Sequence, residues 1–223
     1  AEALGAPIVV GGLRGALARG LELEGRRVIR LSDEIDHAGL RRFSTAHELG
    51  HFWLAHPAAG YAGGCTSAAL EERQADTIEA EANAFAAELL MPGFLVEPWA
   101  NRDELDLDAA RALAREFSVS LTAAAVRLVE RTPQACAVAL CRGGRVVWAA
   151  RSATFTAFLP RDRVPGPDAA VVELLAWGRL PAHARTIPAR TWLGSDVAAE
   201  LELVEQAAKL PGESDVLPFL RLR

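Results

Sequence analysis

The sequence predicts an α+β protein, and three observations carry that expectation. Two short β-branched runs open the chain, helical patterns dominate from about residue 40 to Arg131, and strand and hairpin signals return after Pro133. Ile8-Val9-Val10 and Arg27-Val28-Ile29-Arg30-Leu31 are bounded by Gly or charge and read as two strands of a small sheet, with turns at Gly11, Gly12 and Gly25. Over residues 40–55 apolar side chains recur at helical spacing, and Pro57 closes the run. Residues 58–69, with Gly60, Gly63, Gly64 and Ser67, have the composition of a loop and are expected to rim a cleft.

A second, longest helix is expected over residues 71–90, rich in Glu and Ala, with Met91-Pro92-Gly93 as its stop. Leu107–Phe117 and Leu121–Arg131 form two shorter helical patterns joined by Ser118-Val119-Ser120, a helix-turn-helix-like layout in which Ser120 caps the second member. Beyond Pro133, residues 135–140 and 146–150 flank Arg142-Gly143-Gly144-Arg145, a hairpin signal, and residues 154–159 and 216–222 read as further strands. Residues 160–167 and 179–188 read as loops. The expected organisation is an N-terminal domain over residues 1–98, a helical segment over 99–133 and a second α+β domain over 134–223.

Half of the 223 residues are hydrophobic and a quarter charged, an ordinary globular mixture. The net charge of -5 repels phosphate backbones, so nucleic acid is a poor partner. The basic residues of the second helix of the pair, Arg127 and Arg131, are too few to read DNA. Cys65, Cys136 and Cys141 are odd in number and lack C-x-x-C spacing, which argues against a disulfide framework or a cysteine-rich zinc module and for a reducing, cytoplasmic location. Apolar runs such as residues 171–177 fall far short of the roughly 20 residues of a membrane span, and no basic-then-apolar leader is evident.

The chemistry concentrates in His47-Glu48-Leu49-Gly50-His51. Imidazoles four residues apart stack on one helix face and make a two-point metal clamp. Glu48 is turned about 100° away from His47, which suits a carboxylate that takes a proton from water without ligating the metal. Zinc held by three protein ligands with one open position acidifies water and polarises a peptide carbonyl, so hydrolysis is the expected reaction. His56 is close in sequence but fails the spacing of a third histidine ligand, since Leu54 and Pro57 occupy the positions where Gly and His are required. It is expected at a helix C-terminus, where partial positive charge is favoured. On the second helix Glu79, Asn83, Ala86 and Leu90 share a face with small residues that permit close approach, which makes Glu79 the third ligand, Glu81 a solvent-facing residue and Asn83 a supporting hydrogen-bond partner or a packing amide.

Residues 42–51 and 79–92 together resemble the ImmA/IrrE family of bacterial metallopeptidases, both blocks matching in order. The resemblance implies a zincin-like metallopeptidase domain with His47, His51 and Glu79 on zinc and Glu48 catalytic, manganese being the alternative cation. It also implies a protein substrate, a helix-turn-helix repressor whose cleavage releases genes of a stress response or mobile element. Some members continue into a GAF-like sensor domain, which residues 134–223 resemble in size and pattern. The alternative is a non-catalytic regulatory or sensor module whose structural zinc is closed by Cys65. Tyr61 is a candidate oxyanion donor or cleft cover. Arg41 and Arg42 are expected to brace the fold, His37 is expected in a solvated loop, and His183 carries no role.

Overall fold

The computed structural model describes residues 5–56, 77–193, 201–211 and 214–223. Two structural units divide the chain, one reaching to Pro92 and including Arg115–Ser120, the other comprising Gly93–Ala114 and Leu121–Arg223. Six helices and two sheets among the described residues make the α+β class.

In the first unit β1 (Ile8–Val10), β2 (Ala18–Leu23) and β3 (Arg26–Leu31) form a sheet of order β1-β3-β2. β1 runs parallel to β3, and β2 antiparallel to it. Glu24 and Gly25 both take positive φ, 51° and 74°, the two-residue hairpin geometry that matches strand twist. Of the three strands of this sheet, β2 is the one its sequence does not announce, because Ala18-Arg19-Gly20 carries none of the β-branched residues that signal strands. Ile29 and Leu31 alternate inward from β3. Ile29 packs with Ala6, Leu49 and Phe52, and Leu31 with Ala18 and Ile35.

α1 (Ala38–Trp53) covers β2 and β3, and α2 (Thr77–Leu90) lies against α1. His37 caps α1, its Nδ1 accepting the Leu40 N–H at 3.3 Å, so this exposed histidine is a helix terminator rather than a loose loop residue. Arg41 donates to the Ile35 carbonyl and so braces the approach to the helix, while Arg42 is exposed.

The second unit holds α3 (Gly93–Ala100), the greater part of α4 (Leu107–Phe117), α5 (Leu121–Arg131), β4 (Cys136–Arg142), β5 (Arg145–Arg151), α6 (Ala170–Trp177), β6 (Arg185–Pro188), β7 (Glu202–Lys209) and β8 (Asp215–Leu222). The sheet order is β5-β4-β8-β7-β6, antiparallel throughout. Gly143 and Gly144 take positive φ in the hairpin as its sequence predicts. α5 packs on β4 and β5, and α6 on β7 and β8. α3 is an addition to the expected elements: Pro92 ends α2, and a new helix starts one residue later, where a preceding proline is harmless.

Residues 154–159 are not a strand. Ser152 Oγ accepts the N–H groups of Cys136 and Phe155, at 3.1 and 3.2 Å, and this local capture diverts the backbone from a ladder. Phe155 and Leu159 still point into the core beside Trp192, Leu203 and Leu220. Nor is the whole of residues 179–188 a loop, since β6 pairs with β7 there.

Glu205 of β7 sits inside this core, 1 % exposed. It accepts the Ala170 N–H that opens α6, the Trp192 indole N–H at 2.9 Å and the Arg185 guanidinium at 3.3 Å. Desolvation pushes its carboxyl above the ordinary range, against the pull of those donors. The node ties α6, β6 and β7 together, and nothing in its local sequence announces it.

Candidate metal centre

His47, Glu48 and His51 are each 1 % exposed, although all three are polar. Burial follows from how α1 meets α2. A Cβ on Gly50 would stand 3.2 Å from both Cα and the carbonyl oxygen of Ala82, so the helices touch backbone to backbone at that level. Ala82 and Ala86 are fully buried and extend the small-residue seam. Side chains flanking it, His47 and His51 on one helix and Glu79 and Asn83 on the other, are thereby brought together.

His47 Nε2 lies 3.0 Å from His51 Nε2 and 3.1 Å from Glu79 Oε2, and His51 Nε2 lies 3.5 Å from Glu79 Oε1. One potential ligand atom from each residue falls within 4.8 Å of the others. His47 Nδ1 is 2.9 Å from Asn83 Oδ1. As an N–H donor to that carbonyl, Nδ1 leaves Nε2 with its lone pair directed at the cluster.

The donor set fits a divalent cation. The contacts of His47 and then His51 hold the Glu79 carboxyl down at about 2, against opposing desolvation. Yet Oε2 is buried without a donor at hydrogen-bonding angle, so its 3.1 Å approach to His47 is not a directed hydrogen bond. Two imidazole nitrogens and an orphaned carboxylate oxygen facing one point repel one another unless positive charge lies between them. Nitrogens 3.0 Å apart can both lie about 2 Å from a single ion, the usual zinc–nitrogen length.

Glu48 belongs to the same helix but is held separately: its Oε2 accepts the N–H of Gly20 on β2 at 2.7 Å. Only glycine allows that approach. A Cβ at residue 20 would stand 2.8 Å from Phe52 Cζ and 3.0 Å from Glu48 Oε2, and both neighbours are buried. Gly20→Ala is accordingly expected to cost about 1–3 kcal/mol by overpacking and to displace the Glu48 carboxylate without touching the metal ligands. Chemical denaturation and metal analysis check this: an unaltered unfolding midpoint would show that the strand yields freely.

His56 lies at the C-terminal end of α1 as expected, and there it makes two contacts that its spacing does not announce. Its Nδ1 lies 3.0 Å from His51 Nδ1, and its Nε2 lies 3.0 Å from Glu81 Oε2. Glu81 is 61 % exposed, facing solvent as expected while holding this contact. His183 is exposed and makes no polar contact among the described residues. Cys65 and Tyr61 lie outside the described residues. Burial pushes the Cys136 and Cys141 thiols up to about 12, too high for thiolate ligands or nucleophiles.

The sequence profile of the IrrE N-terminal-like domain matches residues 5–129, more than half of the chain. The chain belongs to this family. The pair α1 and α2, α4 and all but the last two residues of α5 lie within the matched IrrE-like region, as do all four residues of the expected site. Among solved structures, a Mycobacterium tuberculosis transcriptional regulator is similar in fold, with TM-score 0.56 and 14 % identity over 99 % of this chain and 68 % of that one. Among functionally curated proteins, none matches the chain. Within the IrrE-like family, a metallopeptidase family, the His47, His51 and Glu79 cluster is compatible with metal binding.

Proposed function

We propose that the chain is a zinc-dependent endopeptidase acting as a regulatory switch on a helix-turn-helix transcriptional repressor. The convergence of two buried imidazoles with the orphaned Glu79 carboxylate supports this reading most strongly. His47, His51 and Glu79 would hold the ion, zinc by donor chemistry with manganese as alternative. The bound ion supplies Lewis acidity toward water and a peptide carbonyl. Glu48 takes the proton of the attacking water and returns it to the leaving amine, and the Gly20 N–H keeps its carboxylate aimed while it does so. Asn83 holds the His47 ring in its orientation.

A protein substrate fits better than nucleic acid. The chain is net acidic, and Arg127, the central basic residue of α5, is 7 % exposed and withdrawn from any phosphate. Residues 134–223 are read as a GAF-like sensor domain, a reading that their antiparallel sheet and flanking α6 support. No helix among the described residues is long and apolar enough to cross a membrane, in keeping with a cytoplasmic role.

The test is co-incubation of the zinc-loaded protein with helix-turn-helix repressors from its own genome, beginning with any encoded by a neighbouring gene, followed by mass analysis. Two fragments whose masses sum to one repressor plus one water are expected, and a chelator should abolish them. Repressors all intact after incubation with fully loaded protein would refute this assignment.

A further inference from the structure

We propose that His56 and Glu81 form a positioning relay behind His51, presenting its Nε2 lone pair to the metal; the relay rests on the metal-site reading above. The direction of the chain follows from what each atom can do. A carboxylate only accepts, so Glu81 Oε2 takes the N–H of His56 Nε2 at 3.0 Å. That tautomer leaves His56 Nδ1 bare, and it accepts the N–H of His51 Nδ1 at 3.0 Å. His51 Nε2 is then left unprotonated, 3.0 Å from His47 Nε2 and beside Glu79. Every donor in the series meets an acceptor, and the series ends on the cluster.

The backbone is shaped to bring His56 there. α1 ends at Trp53, and Ala55 takes φ of 55°, a left-handed conformation that alanine rarely adopts. The His56 N–H then closes back on the His51 carbonyl at 3.0 Å, five residues upstream, the helix-ending bond for which glycine normally supplies the left-handed residue. This turn folds the His56 ring onto His51, with centroids 5.0 Å apart and planes at 69°. The His56 side chain is only 6 % exposed, so the relay runs from a solvent-facing carboxylate on α2 into the buried site.

The two imidazoles are thus supported differently. His47 leans on one neutral amide, Asn83, whereas His51 leans on a second imidazole that itself carries an anion. A carboxylate at the end of such a chain raises the basicity of the ligating nitrogen as well as fixing the ring. Glu81 needs no ligand role to matter here.

The test uses the full chain with zinc and a competing chelator. His56→Ala should weaken zinc binding by about 10- to 100-fold, the usual cost of losing a partner behind a ligand. Glu81→Gln should weaken it only a few-fold, because that carboxylate is largely hydrated, roughly as exposed ion pairs behave. His56→Gln should recover most of the affinity, since its amide oxygen can accept from His51 and its NH2 can donate to Glu81. Imidazole nitrogen spectra of the zinc-loaded wild type should place the His56 proton on Nε2 and none on Nδ1.

Equal zinc affinity in wild type and His56→Ala, or a proton on His56 Nδ1 in the wild type, would overturn the relay and leave the metal site standing. A wild-type protein that retains no zinc would overturn both. Should His56→Ala fail to fold, the wild-type spectra alone decide the matter.

Discussion

Glu48→Gln should lower repressor cleavage by a factor of about 10²–10⁴ while the protein keeps its full complement of zinc, because the substitution removes a general base and nothing else. Glutamine has the shape of glutamate, and its amide oxygen can still accept the Gly20 N–H now held by Glu48 Oε2 at 2.7 Å. β2 therefore stays docked on α1, and Phe52, packed against Gly20, keeps its place. The imidazoles of His47 and His51 are oriented by Asn83 and His56, neither of which depends on Glu48. The amide cannot take a proton from water at neutral pH, so the loss should fall on turnover rather than on substrate affinity. Zinc stoichiometry and single-turnover cleavage, measured side by side, decide it. Undiminished cleavage would mean that another group is the base, whereas lost zinc would mean that Glu48 supports the site structurally.

Local features of this protein were legible in its sequence to the degree that a short periodicity encodes them. His47 and His51 lie four residues apart on a helix, so their convergence is a property of α1 alone. The Gly143-Gly144 hairpin and the pair α4 and α5 are similarly local. Glu79 required one further assumption, that a second helix packs on the first, and Gly50 opposite Ala82 is the physical form which that packing takes. The tether from Gly20 to Glu48 spans 28 positions and ends on a backbone N–H, which no side-chain pattern can advertise.

Other elements were hidden for different reasons. β2 lacks branched residues and owes its pairing to β3, whose partners run from Ala18 to Leu23. Residues 154–159 carry strand-like alternation, but the Ser152 hydroxyl competes for the backbone and wins. His56 lies at the end of α1 as expected, but its contacts were not legible because they depend on Ala55 turning left-handed, a conformation alanine rarely adopts. α6 was hidden in eight residues that are apolar but for Glu173, too short for periodicity to separate helix from strand; its first N–H is held by Glu205, 35 positions downstream.

Glu79→Ala tests the remaining premise, that α2 contributes a ligand and not merely a neighbour. Removing the carboxylate takes away one of three donors and the negative charge that offsets a divalent cation. The loss of zinc affinity should therefore exceed the roughly 10- to 100-fold typical of residues that only support a ligand. Glu79→Gln, which keeps a carbonyl oxygen but no charge, should fall between that variant and wild type. Thermal stability supplies an independent reading. Zinc at 100 times its Kd stabilises a protein that binds it only when folded by about 2.7 kcal/mol, roughly 5–10 °C in Tm for a chain of this size. Wild type should show that gain on zinc addition, and Glu79→Ala should show almost none at the same concentration. In the zinc-free state the variant should remain folded, because Glu79 Oε2 makes no directed hydrogen bond whose loss would strand a donor. A Glu79→Ala protein that binds zinc as tightly as wild type and gains the same Tm would remove the carboxylate from the coordination set, leaving two histidines on one helix with their third donor elsewhere.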